Sequence, residues 1–405
     1  LTSRPDRSPW LLRFVGVEAM SGVLLLAAAV LALGWANSPW AGQYQGLWHL
    51  KAGFGLAGWL PAHDLHFWVN DGLMCIFFLV VGLEIRREIH DGALAQLRVA
   101  TLPVIAALGG VLVPALLYLA LSGDPAARRG WAIPTATDIA FAVGVLSLAG
   151  RGMPPALRML LLTLAIIDDL VAIAVIACFY SAGIAFGGLV IVAAGVAGVL
   201  VLQSLAIRRS LAYVLPGAVV WFGMLRAGLH PTLAGVLLGL MTPATARFGL
   251  ARRRAARPPR LASPLALLET RLHPWVAFGV MPLFALANAG VSLNGLNFST
   301  GAPRALGAAI VAGLVLGKPL GIVLATFAAV RLKFAALPDA VRWAHIVLLG
   351  LLGGIGFTMS IFIAELAFED PSVLAAAKVA VLLASTLAAA LALLLGRRIA
   401  SSSIR

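Results

Sequence analysis

The chain has 405 residues, 61% of them hydrophobic and only 11% charged, where soluble domains carry about a quarter charged residues. Apolar runs of about 20 residues recur along its length, which excludes a soluble domain. Runs so long and uniform also exclude barrel strands and leave an all-α polytopic membrane protein, so the net charge of +14 reads as loop bias and not as nucleic-acid binding.

Twelve spans are predicted, near residues 16–36, 67–85, 100–121, 131–150, 158–181, 186–207, 211–225, 229–243, 273–290, 305–330, 343–368 and 373–395. With the N-terminus in the cytoplasm, most of the Lys and Arg residues fall in inside loops, among them Arg86, Arg87, Arg98, Arg208, Arg209 and the run RRRAARPPR (252–260). Both termini are then cytoplasmic. The spans 211–225 and 229–243 are short and split by Arg226; merging them would invert every later loop and put the arginine-rich run outside. Residues 38–66 make the longest outside loop, and Pro39, Gly53, Gly55, Gly58 and Pro61 predict turns and a short hairpin there. Cys75 and Cys178 lie in apolar segments and read as small buried hydrophobes, not as a disulfide or metal ligands.

Ionisable groups inside spans are rare and functional by default. Asp138 stands in AIPTATDIAFAVG (132–144), Asp168 and Asp169 in LAIIDDLVAI (164–173), and Lys318 in GLVLGKPLGIVL (313–324). Asp71 and Glu365 lie nearer the outer ends of their spans. Pro134 removes a backbone donor in the fourth span, and Thr135, Thr137 and Asp138 offer oxygens beside it, a composition suited to an interrupted helix. LLGGIGFTMSIF (351–362) is the second interrupted candidate, with Gly353, Gly354 and Gly356 followed by Thr358 and Ser360. One interrupted span in each half is the pattern of transporters built from inverted repeats. Asp138 and Lys318 are suited in charge to offset the partial charges of broken helix ends.

Successive residues on a helix point about 100° apart, so Asp168 and Asp169 cannot make the same contact. One can face a water-filled cavity while the other reaches a neighbouring helix. Carboxylates so placed hold protons or a small hard cation, and competition between the two is itself exchange. Divergence also argues against an intramembrane aspartyl hydrolase, whose two acids must converge on one water. A passive channel or pH sensor of the same fold is the other alternative; it has no need of a lysine beside the acids. No enzyme chemistry and no cofactor are expected.

The motifs AIPTATDIAFAVGVL, LAIIDDLVAI, RAGLHPTLAGV, LHPWVAFGVMPLFALANAGVSL, GKPLGI and GIGFTMSIFIA resemble, in order and over nearly the whole chain, the bacterial NhaA-type Na+/H+ antiporters. The resemblance implies one transporter domain of twelve helices in inverted repeats. Two discontinuous helices would cross near mid-membrane in a core bundle from about 100–181 and 305–395, beside an interface part from about 16–90 and 211–290. It implies export of Na+ or Li+ against more than one proton, activation at alkaline pH, and a multi-pass place in the bacterial inner membrane. The cation and proton residues would be Asp168, Asp169, Asp138, Thr137 and Lys318, with Asp169 binding the cation most directly and Asp168 pairing with Lys318 when proton-loaded. Glu84, Arg87, Glu88 and Glu269 match a pH-response cluster, and His230 a histidine linked to it. The loop at 38–66 would join a homodimer. Glu365 stands where a neutral small residue is expected; tuning of ion access and simple contact with the outer surface are both open for it.

Overall fold

The structure is a computed structural model and describes residues 9–52, 62–150, 153–181, 183, 185–207, 209–244, 263–293 and 302–402. The arginine-rich run 252–260 and residues 53–61 of the outer loop lie outside the described residues. Nearly all of the rest is helix. Among the described residues seven helices are long and apolar enough to cross a membrane, and up to ten spans result if each of three bent helix pairs counts as one. Leu233–Met241 is too short to cross alone, whereas Met281–Asn288 continues a helix that runs without a gap from Pro264 through a π-helical turn at Val276–Val280.

The chain divides into two compact units. One comprises the described residues up to Gly46, Thr101–Ala172 and those from Ala285 onward; the other comprises Leu47–Ala100 and Ile173–Phe284. In the first unit, helix Pro9–Ala36 packs on Ile139–Ala149, Ala302–Ala312 on Pro371–Ser402, and Lys318–Arg331 on Trp343–Gly353. In the second, Phe186–Ser204 packs on Val214–Ala227, and Met74–Asp91 on Leu233–Met241.

The helices meet through small residues. Along Pro371–Ser402, Ala376, Ala380, Ala384, Ala388 and Ala392 recur every fourth position and are buried, while Leu383, Leu387, Leu391 and Leu394 are exposed. Lipid is as apolar as leucine, so burying leucine gains little there, whereas a small-residue stripe lets helices come close and gain dispersion contact. One close approach joins Gly109 and Gly321, where a methyl on either would overlap the other's carbonyl. A methyl on Gly317 would stand 2.8 Å from the Cα of Pro114. Cys178 is exposed and Cys75 half-buried, which corrects the expectation that both are buried; an apolar exterior accepts a thiol as readily as a core does.

Three helix pairs are bent. Met20–Ala36 and Ala41–Trp48 meet at 116°, Ala127–Thr135 and Ile139–Ala149 at 45°, and Trp343–Gly353 and Phe357–Ala367 at 43°. After the first bend the chain forms a minimal antiparallel pair, Lys51 opposite Asp64 and Ala52 opposite His63, inside the segment where a hairpin was expected.

Candidate functional site

The two breaks at 136–138 and 354–356 lie in the same unit and complete each other's hydrogen bonding. Pro134 cannot donate, so the turn ending at Thr135 cannot pass into the next helix with its ladder intact. The carbonyl of Ile133 accepts from Ser360 Oγ at 2.7 Å, and that of Thr135 accepts from Lys318 Nζ. At the other break, the Gly353 carbonyl accepts from Thr137 Oγ1 at 2.9 Å and the Ile355 carbonyl from the Asp138 amide at 2.7 Å. Phe357 opens the second half-helix with a φ of 22°, a region rarely taken by a residue with a side chain. Its amide donates to Ser385 Oγ at 3.0 Å, and its ring rests on Phe141 with centroids 5.4 Å apart. Every group named here is buried, where an unmet carbonyl or amide costs about 1–3 kcal/mol; each break is stable because the other supplies its partners.

Asp138 caps helix Ile139–Ala149, accepting from the Phe141 amide at 3.0 Å. Its other oxygen accepts from the amide and hydroxyl of Thr358. The carboxylate is therefore held at the N-terminal ends of two half-helices, where helix dipoles favour negative charge.

Lys318 is fully buried and donates to Asp168 Oδ2 at 2.7 Å. Its stem runs past Gly110 and Gly353, within 4 Å of where a methyl on either would lie. The same Oδ2 accepts from Thr137 Oγ1 at 2.7 Å. One hydroxyl proton serves either Asp168 or Gly353 at a time, so the state of Asp168 is felt at the second break. The remaining oxygen, Asp168 Oδ1, is buried with no hydrogen-bond partner among the described residues. Asp169 follows on the same helix, 2% exposed, directed about 100° around the axis. Two adjacent buried carboxylates, one with an open oxygen and a lysine as counter-charge, can hold a proton or a hard cation in alternation.

The structure thus gathers Asp168, Thr137 and Lys318 into direct contact and sets Asp138 one residue away with separate partners. Thr358, Ser360 and Ser385 complete the breaks. The first two were legible only as polar residues beside the glycines, and Ser385 had no signal. Among the described residues no group of three or more His, Cys, Asp and Glu side chains could hold a resident metal.

In the other unit, Arg87 Nη1 pairs with Glu269 Oε1 at 2.5 Å. Glu88 turns away and accepts from the Ala93 amide at 2.7 Å, closing the end of its helix. Glu84 shares the electrostatic field of Arg87, Glu88 and Glu269. Burial pushes the Glu269 carboxyl above its ordinary value, and Arg87 holds it back. His230 stands apart from this cluster: its Nε2 meets the Tyr180 carbonyl at 2.6 Å, so that nitrogen carries the proton. Gly235 and Gly239 of the helix that follows pack on Cys75 and Gly82, which sets His230 about 20 Å along the helix direction from Arg87.

A family model described as Na+/H+ antiporter 1 matches residues 12–395. The chain is 58% identical over 395 residues to the Na(+)/H(+) antiporter NhaA of Acidovorax sp. (strain JS42), covering 96% of this chain and 92% of that one. It is 53% identical over 415 residues to the Na(+)/H(+) antiporter NhaA 2 of Pseudomonas putida (strain KT2440), with 95% and 92% covered. To the Na(+)/H(+) antiporter NhaA 2 of Myxococcus xanthus (strain DK1622) it is 48% identical, with 97% and 90% covered.

Proposed function

Because the chain belongs to the Na+/H+ antiporter 1 family, a family of transporters and not of enzymes, we propose that it exchanges Na+ for protons across the bacterial inner membrane. The observation that carries this reading is the Asp168 carboxylate, held by Lys318 and Thr137 with one oxygen open beside Asp169. In the proton-loaded state Lys318 is the counter-charge of Asp168. A sodium ion arriving at Asp169 and the open oxygen of Asp168 displaces the proton held by Asp169 and replaces that counter-charge, so Lys318 withdraws and gives up a second proton. Protonation on the opposite side restores the pair and expels the ion. Since one cation displaces more than one proton, each cycle moves net charge, and the membrane potential contributes about 2.3 kcal/mol per charge per 100 mV. Li+, with the same charge and hard oxygen preference, is a second substrate; no cofactor is required.

The full architecture belongs to the same proposal. It has twelve spans with both termini cytoplasmic, inverted repeats, and two discontinuous helices crossing near mid-membrane. Residues of about 100–181 and 305–395 form the core; of the interface part expected at about 16–90 and 211–290, helix Pro9–Ala36 instead packs on the core and groups with it. The unit boundaries at Thr101 and Ala285 support this division. The outer segment 38–66 forms a homodimer contact. Alkaline activation acts through Glu84, Arg87, Glu88 and Glu269, and the burial of Glu269 beside Arg87 supports a titrating cluster. His230 modulates that response from its own place near Tyr180.

The test is reconstitution in vesicles with an interior pH dye and addition of Na+, Li+ or K+. Exchange driven by Na+ and Li+ that is lost in Asp169→Asn is expected; unchanged exchange in the Asp168→Asn/Asp169→Asn variant would sink the mechanism.

A further inference from the structure

A second lysine–carboxylate pair lies in the same unit as the site and takes no part in the exchange described above. Glu365, on helix Phe357–Ala367, pairs with Lys378, on helix Pro371–Ser402, and their side chains are only 12% and 11% exposed. A charge so covered in an apolar helix is costly unless paired. Glu365 also lies in the last turn of its helix, the end where backbone carbonyls already disfavour a carboxylate. Its own helix therefore gives no reason for an acid there; Lys378 does.

The same two helices are joined once more, by the Phe357 amide on Ser385 Oγ. By helix rise the two ties are about 11 Å apart. Two ties on one pair of helices fix both the height and the tilt of the half-helix between them. That half-helix carries Thr358, which donates twice to Asp138, and Ser360, which holds the Ile133 carbonyl. The geometry points to Glu365 and Lys378 as a positioning pair, which holds the second half-helix so that Thr358 and Ser360 stay in register with the first break. Neither residue touches the transported ion; they act through Thr358 on Asp138. This inference rests on the exchange reading above for its consequence, though not for its geometry.

Single substitutions leave a lone covered charge and risk misfolding, so the deciding variant is Glu365→Gln/Lys378→Met, which removes both charges together, keeps the length of the acid and shortens the lysine by its terminal nitrogen only. In reconstituted vesicles the half-saturating Na+ concentration should rise about 3- to 30-fold in this double variant, with the maximal rate changed much less. Its thermal unfolding in detergent should remain near that of the native protein. Amide hydrogen exchange should speed up at Phe357 and Thr358, the two amides held by Ser385 and Asp138. A pair that serves stability alone would leave both the half-saturating concentration and this amide protection unmoved, and that result overturns the proposal. If the native protein moves no protons in response to Na+, the exchange reading fails by itself, and the amide protection of the double variant still decides the positioning role.

Discussion

Replacing Lys318 with methionine isolates the pairing of charge from the filling of space. Methionine keeps an unbranched stem of similar length, so the passage between Gly110 and Gly353 stays filled and little cavity cost arises. What is lost is the counter-ion of a fully buried carboxylate and the donor to the Thr135 carbonyl. Removing one partner of a buried ion pair costs about 3–5 kcal/mol. Lys318→Met/Asp168→Asn removes both charges and should regain at least half of that, while the unmet Thr135 carbonyl still costs about 1–3 kcal/mol. Equilibrium unfolding in detergent, comparing native, single and double variants, measures all three terms. If the double variant is no more stable than Lys318→Met, the loss does not come from an uncompensated carboxylate and the electrostatic reasoning fails.

Three further outcomes follow from the geometry. Gly321→Ala places a methyl into the Gly109 carbonyl and should destabilise the protein by about 1–3 kcal/mol, read as a lowered melting temperature; a native-like melt would show that these helices can part freely. Thr137→Val removes the one hydroxyl shared by Asp168 and Gly353 and should raise the half-saturating Na+ concentration, with Thr137→Ser restoring it; equal behaviour of Val and Ser would exclude a role for the hydroxyl. Arg87→Gln removes the cation that holds Glu269 back. Glu269 already lies above its ordinary value of 4.5 through burial, so its protonated form is the one the fold favours. The stability it contributes is present below that value and is lost as pH rises through its raised folded pKa. In Arg87→Gln that loss should extend to higher pH than in the native protein, and adding Glu269→Gln should shrink the difference to what Glu84 contributes; melting curves across pH decide it.

Much of the site was legible because charge inside an apolar span is so costly that each instance needs a reason. Asp138, Asp168, Asp169 and Lys318 stand out on that ground alone, and Pro134 and the glycines at 353, 354 and 356 mark the breaks beside them. The partner of Lys378 was hidden: Lys378 lies within helix Pro371–Ser402, covered together with Glu365. Ser385 was hidden as well, since a serine in a long alanine-rich helix looks like any other small packing residue. The pH-response residues were grouped by the family resemblance alone, and nothing in the spacing of His230 says that it stands far from Arg87.

The sequence by itself determined the class of the protein. Its hydropathy requires membrane helices and its adjacent aspartates must diverge, because those properties are local to a span or a turn of helix. Only the tertiary structure decided which partner each buried group takes: Lys318 on Asp168, Thr358 on Asp138, Ser360 on Ile133, Glu365 on Lys378. These pairings join residues far apart in the chain, and their energies depend on burial and distance, neither of which a one-dimensional pattern contains.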